Sequence, residues 1–467
     1  MDDLPWLTLN FASDITLEQQ IHDALRGGIL AGKLRAGDVL PSTRALAASF
    51  GVARSTVIRS YDRLRAAGYV VGQSGSATRV ADLPSLDTGG DGEGDTAENA
   101  LVPQLMHGLK VRPFAPGVPD ISNFPSKVWA RYLGARARNL RLHDLGYSEA
   151  NGIYALRSAI IEHVTRSRAV HADAERVIIM PSAAAIIDFL ASLVLGARKA
   201  VWVEEPGYVK AREILQARGA EIIPVPCDEE GIILPDSGVE EPALIYVTPS
   251  HQYPTGVTMS LPRRLQLLEA AKRFDAVIIE DDYDSEFHYS GRPVASLQGI
   301  DQHMRVAYVG TFSKTLAPGV RVAYAILPPW IMERASAAIH RGGGAVPIHV
   351  QAALADFIRD GHFRAHVRRM KALYEVRMKA AREVMSAYFD VGAGGGGLQF
   401  AAYCRDQRID EKDLVAFLNA RNIAVRALSN FYIGEDRHGL VVGIANIGQK
   451  ELQKFIKEMK DLYSDKI

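Results

Sequence analysis

Apolar residues recur in steps of four near the start of the chain. Within TLEQQIHDALRGGILAG, Leu17, Ile21, Leu25 and Ile29 make one stripe, the spacing of a helix with a single buried face. Thr16 followed by Gln19 fits a capping box at its start. A second helix is predicted from near Ser42, after Pro41, and a third from about Ser55 to Ala67, with Gly68 placed to end it. In the third, Val57, Tyr61 and Leu64 share a face toward the first two. YVVGQSGSATRV (69–80) then predicts two short strands around a tight turn.

Further along, the period changes. RVIIM (176–180), AVWVEE (200–205), EIIPV (221–225), ALIYVT (243–248), AVIIEDD (276–282), RVAYVGT (305–311) and RVAYAIL (321–327) are continuous apolar runs separated by helical segments. Such runs suit strands buried on both faces of a mostly parallel sheet. VGAGGGGLQF (391–400) reads as a turn entering a strand. Helices dominate from about 345, and the chain ends in a smaller α+β lobe. The expected fold class is therefore α/β, with a small helical domain in front.

Between the two patterns lies ADLPSLDTGGDGEGDTAE (81–98), with six acidic residues, no basic ones and four glycines. It buries too little to offset its ordering entropy. The domains expected are 1–80, a linker over 81–111, and 112–467. Composition adds one asymmetry: the chain carries 54 Lys+Arg and 54 Asp+Glu, yet residues 15–80 hold nine basic against four acidic residues. A local basic excess suits phosphate contact. Two distant cysteines, Cys227 and Cys404, exclude a disulfide framework or cysteine-rich zinc site, and no metal is expected. The start of the chain lacks the pattern of a signal peptide, and no apolar run approaches the roughly 20 residues that span a bilayer. A cytoplasmic protein with no membrane partner is expected.

In the third helix, Arg54, Ser55 and Thr56 sit at the N-terminal end and Arg59 points off the apolar stripe, as in a helix that meets base edges and phosphates. The segment LRAGDVLPSTRALAASFGVARSTVIRSYDRLRAAGYVVGQSGSATRVA resembles the winged helix-turn-helix of GntR-type bacterial regulators. That resemblance implies operator DNA as a partner, with Arg44, Arg54, Ser55 and Thr56 as contacts, and Ser74 and Gly75 at the wing tip.

In the larger part, polar residues follow several strand runs: Tyr208, His251, Asp281, Tyr283, and Thr311 to Lys314 within TFSKTLAPGVR. Each alone is an ordinary cap or exposed side chain. Together they collect on the rim where open α/β sheets bind ligands. They suit pyridoxal phosphate: a lysine amine for the aldehyde, a carboxylate for the ring nitrogen, a phenol for the ring oxygen, and an arginine with hydroxyls for the phosphate. Residues 112–467 resemble fold type I aminotransferases. By that resemblance Lys314 is the Schiff-base lysine, Asp281 the ring-nitrogen partner, Tyr283 a ring-oxygen contact and Tyr208 the stacking ring. Thr311, Ser313 and Arg321, with Ser182 and Ala183 of PSAAA, would hold the phosphate. Tyr147 of LGYSEANG matches a tyrosine that reaches the neighbouring subunit's phosphate, implying a domain-swapped, head-to-tail homodimer.

Three positions depart from that pattern. Tyr253 of HQYPTG stands where an asparagine is usual, leaving His251 as a substitute contact. The phosphate cup is Ser182-Ala183-Ala184. Val441 stands where an arginine usually pairs with the substrate carboxylate, which turns attention to Lys210, Arg426 and Arg437 as effector contacts. The whole arrangement resembles the MocR/GabR subfamily of GntR regulators, on FAPGVPDISNFPSKVWAR, EDDYDSEFHYSGRPVASLQG and GHFRAHVRRMKALYEVRM. The resemblance implies a transcriptional regulator whose enzyme-like lobe senses pyridoxal phosphate or an amine or amino-acid effector. A true aminotransferase with an accessory DNA-binding domain, and a lobe serving only as a dimerisation scaffold, are the alternatives.

Overall fold

The computed structural model describes residues 7, 9–11, 15–72, 77–82, 111–140, 146, 149–235, 238–289, 294–342, 346–392, 394–405, 410–434 and 437–464. The chain divides into two compact units, Met1–His107 and Gly108–Ile467. The acidic segment from Leu83 onward, Ser74, Gly75 and Tyr147 lie outside the described residues.

The first unit comprises α1 (Leu17–Leu30), α2 (Thr43–Phe50), α3 (Arg54–Ala66), β1 (Val70–Val71) and β2 (Arg79–Val80). Thr16 caps α1 by accepting from the Gln19 N–H at 3.3 Å. The return half of the expected capping box is missing, because the Gln19 side chain donates to Asp23 and accepts from Arg63 instead. Ser42 caps α2, and Gly51 closes it at φ 63°. Ile21, Leu25, Val57, Tyr61 and Leu64 meet in one core with Val70 and Val80 of the paired strands. The Tyr61 hydroxyl reaches the Pro41 carbonyl at 2.8 Å.

The second unit runs α4 (Ser126–Arg138), α5 (Tyr154–Arg168), β3 (Val177–Met180), α6 (Ala183–Val194), β4 (Ala200–Glu205), α7 (Val209–Ala217), β5 (Glu221–Asp228), β6 (Gly231–Ile232), β7 (Leu244–Val247), α8 (Leu261–Arg273), β8 (Val277–Asp282), α9 (Leu297–Ile300), β9 (Val306–Thr311), α10 (Phe312–Thr315), β10 (Ala323–Ile326), α11 (Pro329–Gly342), α12 (Ile348–Arg359) and α13 (His362–Met385). The sheet order is β3-β10-β9-β8-β7-β4-β5-β6. Neighbours from β9 to β5 pair in parallel, and β10 and β6 run against their neighbours. The central runs are buried on both faces, as continuous apolar strands require. α6, α7 and α11 cover one face, while α5, α8 and α12 contribute to the other.

A smaller lobe follows: β11 (Phe389–Val391), β12 (Gln399–Cys404), α14 (Glu411–Ala420), β13 (Arg426–Ala427), β14 (Gly439–Gly443) and α15 (Gln449–Ser464). Its sheet, β11-β12-β14-β13, is antiparallel throughout. The glycine-rich stretch connects β11 to β12 as a hairpin, so it joins two strands where the pattern predicted an entry into one. The parallel register sets the site: β4, β7, β8 and β9 end side by side, with Asp281 paired to Val309 and Val247 to Glu280.

Candidate functional site

In the first unit, α3 starts without a capping side chain, since Ala53 holds the N-cap position. Its first N–H groups are therefore left to other acceptors, the arrangement that suits a phosphate. Arg44, Arg54, Ser55 and Arg59 are exposed and Thr56 is half-buried. Arg54 Nε donates to Thr43 Oγ1 at 3.3 Å, which draws its guanidinium toward the α2 start. Arg59 lies 3.7 Å from Glu18 of α1 and shares that carboxylate with Arg63. It is thus partly neutralised within the unit, unlike Arg44, for which no carboxylate lies within 4.0 Å among the described residues.

In the second unit, Lys314 is half-buried, and its Nζ donates to the Gly117 carbonyl at 2.5 Å. Burial lowers the pKa of this amine, opposed by Asp284 and Asp281 and assisted by Arg426. A lowered amine spends more time neutral, as a nucleophile must. Asp281, fully shielded at the end of β8, is pushed up to about 6 by burial. One of its oxygens accepts from the Tyr246 hydroxyl at 2.6 Å. The other, Oδ1, is buried with no hydrogen-bond partner among the described residues. A buried carboxylate oxygen without a donor is costly, and a protonated ring nitrogen would satisfy it. Gln399 Oε1 is orphaned in the same way, near the space above Gly117 where Lys314 Nζ also lies. These atoms fit the cofactor that the chemistry of the donor set implies.

Around them stand aromatic walls. The Tyr283 hydroxyl donates to the His251 carbonyl at 3.0 Å and accepts from Gln399 Nε2 at 2.8 Å. Tyr253 packs edge-on against Tyr208, Tyr283 and Phe431 with centroids 5.3–6.0 Å apart. Burial raises the Tyr208 phenol to about 12, with the Asp281 charge adding to the effect. His251 Nδ1 lies 2.8 Å from Asp284, while Nε2 is packed against Gly396, where an added Cβ would sit 2.2 Å away, and is buried with no hydrogen-bond partner among the described residues. What His251 offers to Tyr283 is its backbone carbonyl. Asp284 in turn accepts from the Leu398 N–H at 3.0 Å.

Among the residues expected to hold the phosphate, Thr311 caps α10 by accepting from Ser313 N at 3.1 Å. Ser182 caps α6 through the Ala185 N–H at 3.1 Å, so its oxygen is partly spent, and a helix start is the end of the helix dipole that suits an anion. Arg321 is exposed and held at φ 53°, a left-handed conformation costing about 1–2 kcal/mol for a side-chain-bearing residue.

The three effector candidates separate. Lys210 is exposed and 3.4 Å from Glu213. Arg437 stacks over Tyr403 at 4.3 Å and lines a different cleft, of about 980 Å3, with Glu205, Cys227 and Tyr432. Arg426 lies on β13 directly opposite Val441 of β14, and its charge acts on Lys314, Tyr208 and Tyr253. Val441 itself is buried among Tyr253, Tyr283 and Phe431. The cation therefore stands one strand over from the expected position. Sequence reasoning missed Tyr246, Gln399 and Asp284. Among the described residues no cluster holds metal-ligating side chains in a group of three, and no helix is long and apolar enough to cross a membrane.

Two family models match: bacterial regulatory proteins of the gntR family over residues 17–80, and aminotransferase class I and II over residues 134–459. The chain is 35% identical to the probable rhizopine catabolism regulatory protein MocR of Rhizobium meliloti, over 98% of this chain and 96% of that one. It is 30% identical to the HTH-type pyridoxine biosynthesis transcriptional regulator PdxR of Corynebacterium glutamicum, over 99% of both. It is 33% identical to the HTH-type transcriptional regulator TauR of Rhodobacter capsulatus, over 88% of both. In fold it is similar to the kynurenine aminotransferase of Pyrococcus horikoshii, with a TM-score of 0.70 at 22% identity, covering 80% of this chain and 96% of that one.

Proposed function

The chain belongs to the MocR/GabR subfamily of GntR-type transcriptional regulators, and from that premise we propose that its C-terminal unit holds pyridoxal phosphate at Lys314 and senses an amine through it. The observation that carries the reading is the pairing of a buried, orphaned Asp281 Oδ1 with a lysine amine whose pKa is lowered. When bound, the cofactor supplies an aldehyde that condenses reversibly with primary amines.

This chain's residues do the rest. Asp281, braced by Tyr246, accepts the ring N–H, and Tyr283, steadied by Gln399, faces the ring oxygen. Tyr208 forms the stacking wall. Thr311, Ser313, Arg321, Ser182 and Ala183 hold the phosphate, joined by Tyr147 of a second subunit in a head-to-tail homodimer. Arg426 attracts the carboxylate of an amino-acid effector, with Lys210 and Arg437 farther out. Val441, an apolar residue where turnover enzymes place a carboxylate-binding cation, favours sensing over catalysis.

An effector shifts the protein only if it binds one arrangement better than another. Lys314, whose amine is buried and whose pKa is lowered, would supply that difference if an effector altered its charge. The DNA-reading unit acts on operator DNA in the cytoplasm through Arg44, Arg54, Ser55 and Thr56, with Arg59 beside them and Ser74 and Gly75 at the wing.

Adding pyridoxal phosphate to the purified protein should give a visible absorption band that Lys314→Ala abolishes. An unchanged spectrum in the variant would reject the lysine assignment.

A further inference from the structure

Gln399 opens β12 and is 1% exposed. Its amide is oriented from one side. Tyr283 has one phenolic proton, kept in place because burial raises its pKa well above the ordinary value, and gives it to the His251 carbonyl at 3.0 Å. The phenol oxygen is then left only to accept, so Gln399 turns Nε2 toward it, at 2.8 Å. Oε1 points the other way, buried and without a hydrogen-bond partner among the described residues.

That oxygen borders the reacting end of the site. A Cβ added at Gly117 would lie 3.5 Å from Lys314 Nζ and 3.9 Å from Gln399 Oε1. Both atoms thus face one small space that the bare glycine, at φ 71°, keeps open. Lys314 does not answer the oxygen, because its amine donates to the Gly117 carbonyl. Pyridoxal phosphate does not answer it either: its ring N–H is the one that Asp281 takes, and its ring oxygen and phosphate accept. A buried acceptor left unmet is costly, which leaves the donor to the molecule that enters.

Strand alternation ties this group to Arg426. Ala401 and Val441, paired across β12 and β14, are buried with Tyr253 and Tyr283, whereas Phe400 and Val442 turn to the other core. Gln399 therefore shares the face of Ala401, and Arg426 lies opposite Val441 on β13. Two strands across and two residues along put the Cα atoms of Gln399 and Arg426 on the order of 12 Å apart. One small molecule between the two side chains bridges that span.

We propose that Gln399 selects effectors that carry a hydroxyl or a second amine on the carbon next to the one bearing the reacting amine. The nearness of Oε1 to Lys314 Nζ, where the reacting amine arrives, sets that spacing. The inference rests on the cofactor reading and deepens it, making Gln399 a specificity-determining residue while Arg426 meets a carboxylate.

The test uses the full chain loaded with pyridoxal phosphate and two pairs of amines in which a methyl group replaces the hydroxyl. These are 2-aminoethanol against 1-aminopropane, and serine against 2-aminobutanoate. Binding is followed by the visible band and, independently, by calorimetry. The hydroxylated member of each pair should bind about tenfold more tightly. Gln399→Met, similar in length but without an amide, should bring the ratio near one, and Gln399→Glu, which keeps an acceptor, should retain the preference. Both variants should keep the visible band, and its loss in both would make Gln399 a support of the fold and overturn the proposal. A ratio near one in the unaltered protein, no response to any of these amines, or a preference that survives Gln399→Met overturns it too. If the unaltered protein shows no band that Lys314→Ala abolishes, the cofactor reading fails and takes this inference with it. A band without the preference leaves that reading standing and rejects this inference alone.

Discussion

Asp281 is the residue on which the site's electrostatics turn. Burial lifts its carboxyl from an ordinary 3.8 to about 6. A carboxyl raised in the folded state binds its proton more tightly folded than unfolded. Its contribution to stability is therefore largest at low pH and is lost as pH rises from about 4 through about 6. Two pKa units correspond to a term on the order of 3 kcal/mol. Glu204 and Glu280, each raised to about 7 by burial, act in the same direction and extend the window upward. The cofactor-free protein should therefore melt at a higher temperature at pH 5 than at pH 7, and Asp281→Asn should narrow that difference. An undiminished difference in the variant, measured by thermal unfolding across that range, would show that Asp281 does not carry it. The sequence made the charged residues of this site visible because they follow strand runs. It hid their neutral supports: Tyr246 lies inside ALIYVT as one more strand residue, and Gln399 follows a glycine run. The pairing of β7 with β8 brings Tyr246 beside Asp281, and tertiary packing brings Gln399 of β12 beside Tyr283.

At the scale of elements, α3 shows a local preference given up at a candidate binding surface. An uncapped start with Ala53 forgoes about 1 kcal/mol that a capping side chain supplies. Ala53→Asp should raise the thermal stability of the N-terminal unit while weakening DNA binding, because the new carboxylate occupies the donors that phosphates need. Arg54→Ala should instead lower operator affinity far more than affinity for unrelated DNA, by about 1–3 kcal/mol of discrimination. Fluorescence anisotropy on both duplexes distinguishes them, and equal losses for Arg54→Ala would make it a phosphate contact. The helix itself was legible from Val57, Tyr61 and Leu64. The capping box was legible only in half, since nothing in the local pattern reveals that Arg63, a turn farther along another helix, captures Gln19. Likewise, the departure at Val441 was visible, but the nearness of Arg426 depended on a two-residue strand pairing too short to read.

Across the whole molecule, the two units keep separate cores. The buried apolar cluster of the first unit is drawn from residues 7–80, and those of the second from Phe114 onward. Tyr61→Ala should cost the first unit about 3–5 kcal/mol, by analogy with other large-to-small core changes, and abolish DNA binding. The visible band of cofactor bound at Lys314 should persist in that variant, and its loss would show that the cores depend on one another. Within the second unit, one set of contacts ties the two lobes at the site. Glu205 accepts from Ile433 N and Gly434 N, the latter at 3.0 Å, while Gly207 N and Arg212 donate to the Phe431 carbonyl at 3.0 and 3.1 Å. Glu205 closes β4 just before Tyr208, and Phe431 follows β13 and Arg426 by a few residues. The aromatic wall of the larger lobe and the cation of the smaller one are thus clasped across the lobe boundary, so a swing of the smaller lobe that moves Arg426 away from Lys314 must first undo this latch.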